Sequence, residues 1–191
     1  MSIEAVRSAG LSGLAGGLRR ILFDSFKDTR NLKQGSEGRF ISTLEGLQFT
    51  PKVGSSKMEN NHAVLKRNLG NKFVAKVKVE GKFSAANAAN VGFVLNKQDE
   101  KNMLAVNMQS DGSVRLVKFE NGQKSILQSV KLKNPPSDEF EMAIKVDNRK
   151  ISFMVDGEEV FKTTDRSFSG GEFGFGAFRG TNRFKEFEVY K

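Results

Sequence analysis

The sequence predicts an all-β fold: a two-sheet antiparallel jelly-roll sandwich with a short N-terminal helical segment. Three observations predict it. From Ile21 onward, apolar and polar residues alternate, so each short segment has one apolar and one wet face. Two-residue hairpin signals recur at Asp111-Gly112, Asn121-Gly122 and Asp156-Gly157, where a type I′ turn needs positive φ at both positions. No helical pattern separates the short apolar runs. They amount to about 14 strands, too many for an immunoglobulin sandwich and suited to a larger jelly roll.

Residues 1–20 stand apart as an N-terminal arm, and residues 21–191 form the sandwich domain. In the arm, Ile3, Val6, Leu11, Leu14 and Leu18 follow a loose helical period that Ser2 can cap. Gly10, Gly13, Gly16 and Gly17 each weaken such a helix by roughly 1 kcal/mol relative to alanine. A helix this marginal needs a surface to pack on, either its own sandwich or a neighbouring chain.

The strands are expected near 21–26, 38–43, 46–50, 62–67, 72–82, 91–97, 102–109, 113–120, 124–132, 139–147, 150–155, 158–163, 171–178 and 183–190. Segment 72–83 shows the pattern best. Phe73, Ala75, Val77, Val79 and Phe83 share one face, while Lys72, Lys76, Lys78, Glu80 and Lys82 share the other. In 139–147, Phe140, Met142, Ile144 and Val146 oppose Glu141, Lys145 and Asp147. Asn148-Arg149 is read as one more corner, and Pro135-Pro136 ends a strand.

Seventeen Phe stand against one Tyr and no Trp, which suits a dry core, because phenyl rings bring no polar tip to satisfy. The same count deprives a sugar groove of its usual Trp platform. Net charge is +9, and residues 57–82 carry seven Lys/Arg against two Glu. This bias favours an anionic partner or simply a solvated face. Lys72, Lys76, Lys78 and Lys82 are the candidate basic stripe. An anionic polymer or acidic protein surface is preferred to nucleic acid, because neither a recognition helix nor stacking aromatics accompany the charge. Without cysteine there is no disulfide or thiolate site. There is no run of 18 apolar residues, the length a membrane-spanning helix needs, and residues 1–20 do not read as a secretion signal.

The C-terminal third carries a resemblance. The run 151–161 turns at Asp156-Gly157 after Val155, and 169–178 is a glycine-alternating strand. The closing segment 183–190 and the hairpin over 102–119 complete the pattern. Together they resemble the concanavalin A-like and laminin-G-like sandwiches, which include lectins, family-16-type glucanases and a bacterial family named for 3-keto-disaccharide hydrolysis. The resemblance implies that the last strand pairs near the first, and it makes a glycan the leading ligand class. A fold alone does not fix function.

The glucanases of this fold set two glutamates around an aspartate at alternating positions of one strand, so that acid and nucleophile flank the bond. Glu139 and Glu141 alternate here, but Phe140 stands between them and Ala143 follows. A solvated strand face explains them better. His62 is the only imidazole, there is no G-x-S-x-G elbow, and a solvated or edge position is expected for it. Asp99, Glu100 and Asn102, or Asp111 with Asn107, offer oxygens of the kind some relatives use for Ca²⁺, but far fewer than six to eight. No metal or cofactor is expected. The glycines of 170–176 lack the Lys-Ser/Thr and helix of a phosphate loop and read as a bulge or close packing.

Polar residues on sheet strands remain as ligand candidates: Asn96, Asn107, Gln109, Arg115 and Arg179, whose amides and guanidinium groups can read sugar hydroxyls. The expected function is a non-catalytic, lectin-like binding or structural module, with a glycoside hydrolase-like enzyme as the alternative. The expected setting is a virion or cell-surface assembly entered from the cytoplasm, with residues 1–20 engaging other chains. A cytoplasmic setting is the alternative.

Overall fold

The alternating pattern folds as antiparallel β-structure throughout. The computed structural model describes residues 17–35, 37–50, 61–81 and 90–191, except for the side chains of Phe23, Phe178 and Arg179. No helix occurs among the described residues. Residues 1–16 of the expected arm lie outside them. Its last two residues belong to the sandwich: Arg19 exchanges backbone hydrogen bonds with Lys191 at 2.7 and 3.0 Å, and Arg20 opens the first strand.

The strands in order are β1 (Arg20–Asp24), β2 (Leu32–Gln34), β3 (Arg39–Thr43), β4 (Gly46–Thr50), β5 (His62–Leu65), β6 (Lys72–Gly81), β7 (Asn90–Lys97) and β8 (Met103–Met108). They continue as β9 (Ser113–Glu120), β10 (Gln123–Lys131), β11 (Glu139–Asp147), β12 (Lys150–Val155), β13 (Glu158–Thr164), β14 (Glu172–Arg179) and β15 (Asn182–Tyr190). The three-residue β2 was not expected. It is too short to show a period, and only its pairing with β5 defines it.

One sheet has seven strands in the order β10-β9-β8-β7-β14-β5-β2. The other has eight, in the order β13-β12-β11-β6-β15-β4-β3, with β1 also on β15. The two ends of β15 serve different neighbours: Asn182–Phe184 pair with β4, and Phe187–Tyr190 with β1. The first and last strands therefore pair, as the resemblance implied.

Phenylalanine fills the space between the sheets. Phe173 and Phe175 of β14 meet Phe187 of β15 at ring-centroid distances of 6.2 and 4.9 Å. The expected parity holds on β6 and β11: Phe73, Ala75, Val77 and Val79 of β6 and Phe140, Met142, Ile144 and Val146 of β11 enter this core. Two of the three hairpin readings hold as well: Asn121-Gly122 and Asp156-Gly157 both take positive φ at each position. At Asp111-Gly112 only the glycine does, and Gly112 N–H donates to Gln109 O across a longer loop. Asp111 instead accepts hydrogen bonds from the backbone N–H and the hydroxyl of Ser113, at 2.8 and 2.9 Å. At the Asn148-Arg149 corner, only Asn148 takes positive φ.

Candidate functional site

The seven-stranded sheet is apolar on both faces, which is unusual for a sandwich sheet, where one face normally meets water. Its inner residues join the main core. On its outer face, Val64, Val94, Met103, Ala105, Val117 and Phe119 form a second, separate buried cluster. Cross-strand register puts four of these in one row: Val64 and Val94 flank Gly174, and Ala105 and Val117 follow.

Beside the apolar row runs a polar one. Register aligns His62, Gly176, Gly92, Asn107, Arg115 and Ser129 across six strands. Strands lie about 4.8 Å apart, so the row is roughly 24 Å long. Two glycines bring no side chain to it, leaving bare backbone between His62 and Asn107. Asn107 is 4% exposed, and its Oδ1 has no hydrogen-bond partner. Arg115, its direct cross-strand neighbour, is half-buried. Gln109 lies two residues past Asn107 and so on the same face, where its backbone N–H donates to Ser113 O at 2.8 Å. Three of the five expected ligand residues thus converge at the β8–β9 end of the sheet.

The other two do not join them. Asn96 takes a positive φ at a bulge near the far end of β7, and its carbonyl accepts a hydrogen bond from Gln98 at 3.1 Å. Arg179 is paired through its backbone with Asn90, and its side chain lies outside the described residues. The bulge at Asn96 also resets parity, so that Lys97 falls opposite Glu172.

A charged chain crosses that far end. Lys33 reaches Glu172 at 3.2 Å, Glu172 reaches Lys97 at 3.3 Å, and Lys97 reaches Glu100 at 3.2 Å. Glu100 in turn lies 3.7 Å from His62 Nε2. Burial pushes the Glu172 carboxyl up, but hydrogen bonds from Lys33 and Lys97 prevail and hold it below the usual carboxylate range. His62 corrects the expectation of a solvated or edge position, because it is 2% exposed. A cavity of about 220 Å³ opens beside this chain, lined in part by Lys66, Arg67, Lys97, Gln98 and Glu172.

The expected basic stripe lies on the opposite sheet. Lys72, Lys76 and Lys78 do share the outer face of β6, and Lys82 lies outside the described residues. Yet Lys76 is 2.6 Å from Glu188, and Lys78 is 2.6 Å from Glu186. Glu80 binds Lys185 and, at 3.2 Å, Arg183. The face is a ladder of alternating charge, with Lys72 exposed at its end. Glu188 also binds Arg20 and the Tyr190 hydroxyl, both at 2.8 Å. Burial pushes its carboxyl up, but hydrogen bonds from Lys76, Tyr190 and Arg20 outweigh that and hold it low. Glu141 shows the reverse: burial raises its carboxyl above the usual range, and Lys76 at 4.0 Å offsets this only in part. Glu139, by contrast, is exposed.

Among the described residues, no group of three or more His, Asp or Glu could hold a metal ion. Asp99, one of the oxygens considered for Ca²⁺, accepts from Asn102 Nδ2 at 3.0 Å and from Lys101 N at 2.7 Å. These bonds lower its pKa and explain its place in the turn.

No family model and no curated protein matches the chain. Solved structures do. A carbohydrate binding module, CBM66, from Bacillus subtilis superposes with a TM-score of 0.70 at 19% identity, over 84% of this chain and 96% of that one. A galectin-like protein of unknown function from Bacillus subtilis gives 0.70 at 8% identity, over 91% and 97%. A β-glucanase from Bacillus licheniformis gives 0.62 at 11% identity, over 89% and 97%. At these identities the likeness establishes the fold alone: a two-sheet antiparallel jelly-roll sandwich.

Proposed function

We propose that this domain is a non-catalytic, lectin-like module that binds a glycan on the outer face of its seven-stranded sheet, through Asn107, Gln109 and Arg115. The observation that carries the reading is the Asn107 carboxamide. A buried acceptor left unpaired costs roughly 1–3 kcal/mol. A ligand hydroxyl donating to Oδ1 would offset that cost, and Arg115 beside it supplies donors for a second sugar oxygen. The fold likeness to a carbohydrate binding module supports the ligand class.

A microarray of neutral and acidic polysaccharides probed with the full chain is the test. Binding is expected, with a loss of about tenfold or more in Asn107→Ala and in Arg115→Ala, the size of one good hydrogen bond. An empty array, or binding that both variants retain in full, would reject the site.

A second reading, a glycoside hydrolase, is favoured by the raised Glu141 carboxyl beside the lowered Glu188 and by the β-glucanase likeness. Turnover of a β-glucan that disappears in Glu141→Gln would establish it in place of the first. The proposed setting remains a virion or cell surface. Antibody labelling of intact particles or cells tests this, since only a displayed domain is labelled.

A further inference from the structure

We propose that the cavity at the far strand ends is an oxyanion subsite, which takes a carboxylate or sulfate group carried by a saccharide. The proposal rests on the glycan reading and narrows it to acidic glycans. Charge is the first support. Lys33, Lys66, Arg67 and Lys97 surround the cavity or its wall, against Glu100 and Glu172. Glu172 is shared by Lys33 and Lys97, and Glu100 also engages Lys97. Lys66 and Arg67 form no ion pair among the described residues. Both are exposed, and one weak contact, from Arg67 Nη1 to Ile21 O at 3.5 Å, leaves most of the guanidinium fork free.

The wall is built rather than incidental. Lys97 is only 3% exposed, and a buried ammonium is tolerated only when it is paired. Its two carboxylate partners therefore have fixed positions. Gly171 takes φ +133°, and a Cβ there would sit 2.6 Å from the Asn96 carbonyl carbon and 2.8 Å from Gln98 Nε2. Only glycine lets this strand entry close against the β7 bulge. Gln98 donates to Gly170 O at 2.7 Å, which leaves its Oε1 to accept from a sugar hydroxyl. Cations for an oxyanion and amides for hydroxyls are the mixture a sugar acid requires.

Position is the second support. Lys97 and Glu172 share the outer face with Gly92 and Gly176. From Gly176 to Glu172 is four residues along β14, roughly 13 Å at strand rise. The cavity and the Asn107 row therefore lie on the same face of one sheet.

Titration of the full chain with oligogalacturonate, a sulfated oligogalactan and a neutral oligogalactan of equal length tests this. The acidic ligands are expected to bind at least tenfold more tightly, with an advantage that falls as salt rises. Lys66→Ala/Arg67→Ala should reduce them to the neutral level and leave neutral binding unchanged. Whichever of the two acidic ligands shows the larger advantage identifies the oxyanion. Equal binding of all three, or an acidic preference that survives the double variant, overturns the subsite while leaving the glycan reading intact. No binding of any saccharide here or on the array overturns both. A double variant that loses only binding of inorganic sulfate also overturns the proposal.

Discussion

Replacing Phe175 with alanine is expected to cost about 3–5 kcal/mol, enough to lower the melting temperature of a domain this size by roughly 10 °C. Phe175 is fully buried at the centre of the sandwich, on β14. Its ring lies 5.1 Å from Phe184 and 4.9 Å from Phe187, both on the opposite sheet. Phe26 meets it edge-on at 5.4 Å, and Phe93 lies 6.2 Å away on β7. The four neighbours come from three separate segments, β15, β7 and the chain after β1, so the space left by the ring cannot close by a single rotation. The substitution therefore loses both the transfer energy of the ring and its contacts with four neighbouring rings. Thermal and urea unfolding measure the loss. A change below about 1 kcal/mol would mean that the sheets do not face each other across this ring.

Gly92→Ala is expected to be nearly as damaging, at about 2–4 kcal/mol, although it adds only one carbon. A Cβ at this position would sit 2.7 Å from the Val106 carbonyl carbon, 2.8 Å from Asn107 Cα and closer still to the Val106 oxygen. All three belong to the backbone of β8, so no side chain can move aside, and β7 and β8 must separate instead. Gly170 is the control. It has open space around it, so alanine there meets only the strain of φ +73°, about 1 kcal/mol. Equal melting temperatures for the two variants would contradict the close approach of β7 and β8. The strain falls on the row that carries Asn107, so Gly92→Ala should also weaken any ligand bound there.

What was legible in the sequence was local. The alternation of Phe73, Ala75, Val77 and Val79 with lysines requires one buried and one wet face whatever the neighbours are, and β6 has them. Asn121-Gly122 makes its turn from its own backbone preferences. What was not legible depends on register between strands distant in the chain. Lys76 and Lys78 read as a basic stripe because their partners, Glu188 and Glu186, lie on β15, more than a hundred residues away. The bulges at Asn96 and Glu186 shift parity, and no composition signal marks either. The first turns Lys97 toward Glu172; the second brings Glu188 to Lys76. His62 is 2% exposed on β5 opposite Gly176, and nothing in its local sequence marks that burial. Asn107 and Arg115 were identified as polar residues on sheet strands, but only their pairing makes them adjacent.

The central claim is that the ligand face is the outer side of the seven-stranded sheet. It is tested most directly by mapping amide chemical-shift changes in the ¹⁵N-labelled full chain during titration with the saccharide that scores highest on the array. Perturbations are predicted to centre on Gly92, Asn107, Gln109 and Arg115 and to spread along β14. Perturbations centred on Lys76, Glu141 and Glu188 of the eight-stranded sheet would contradict it.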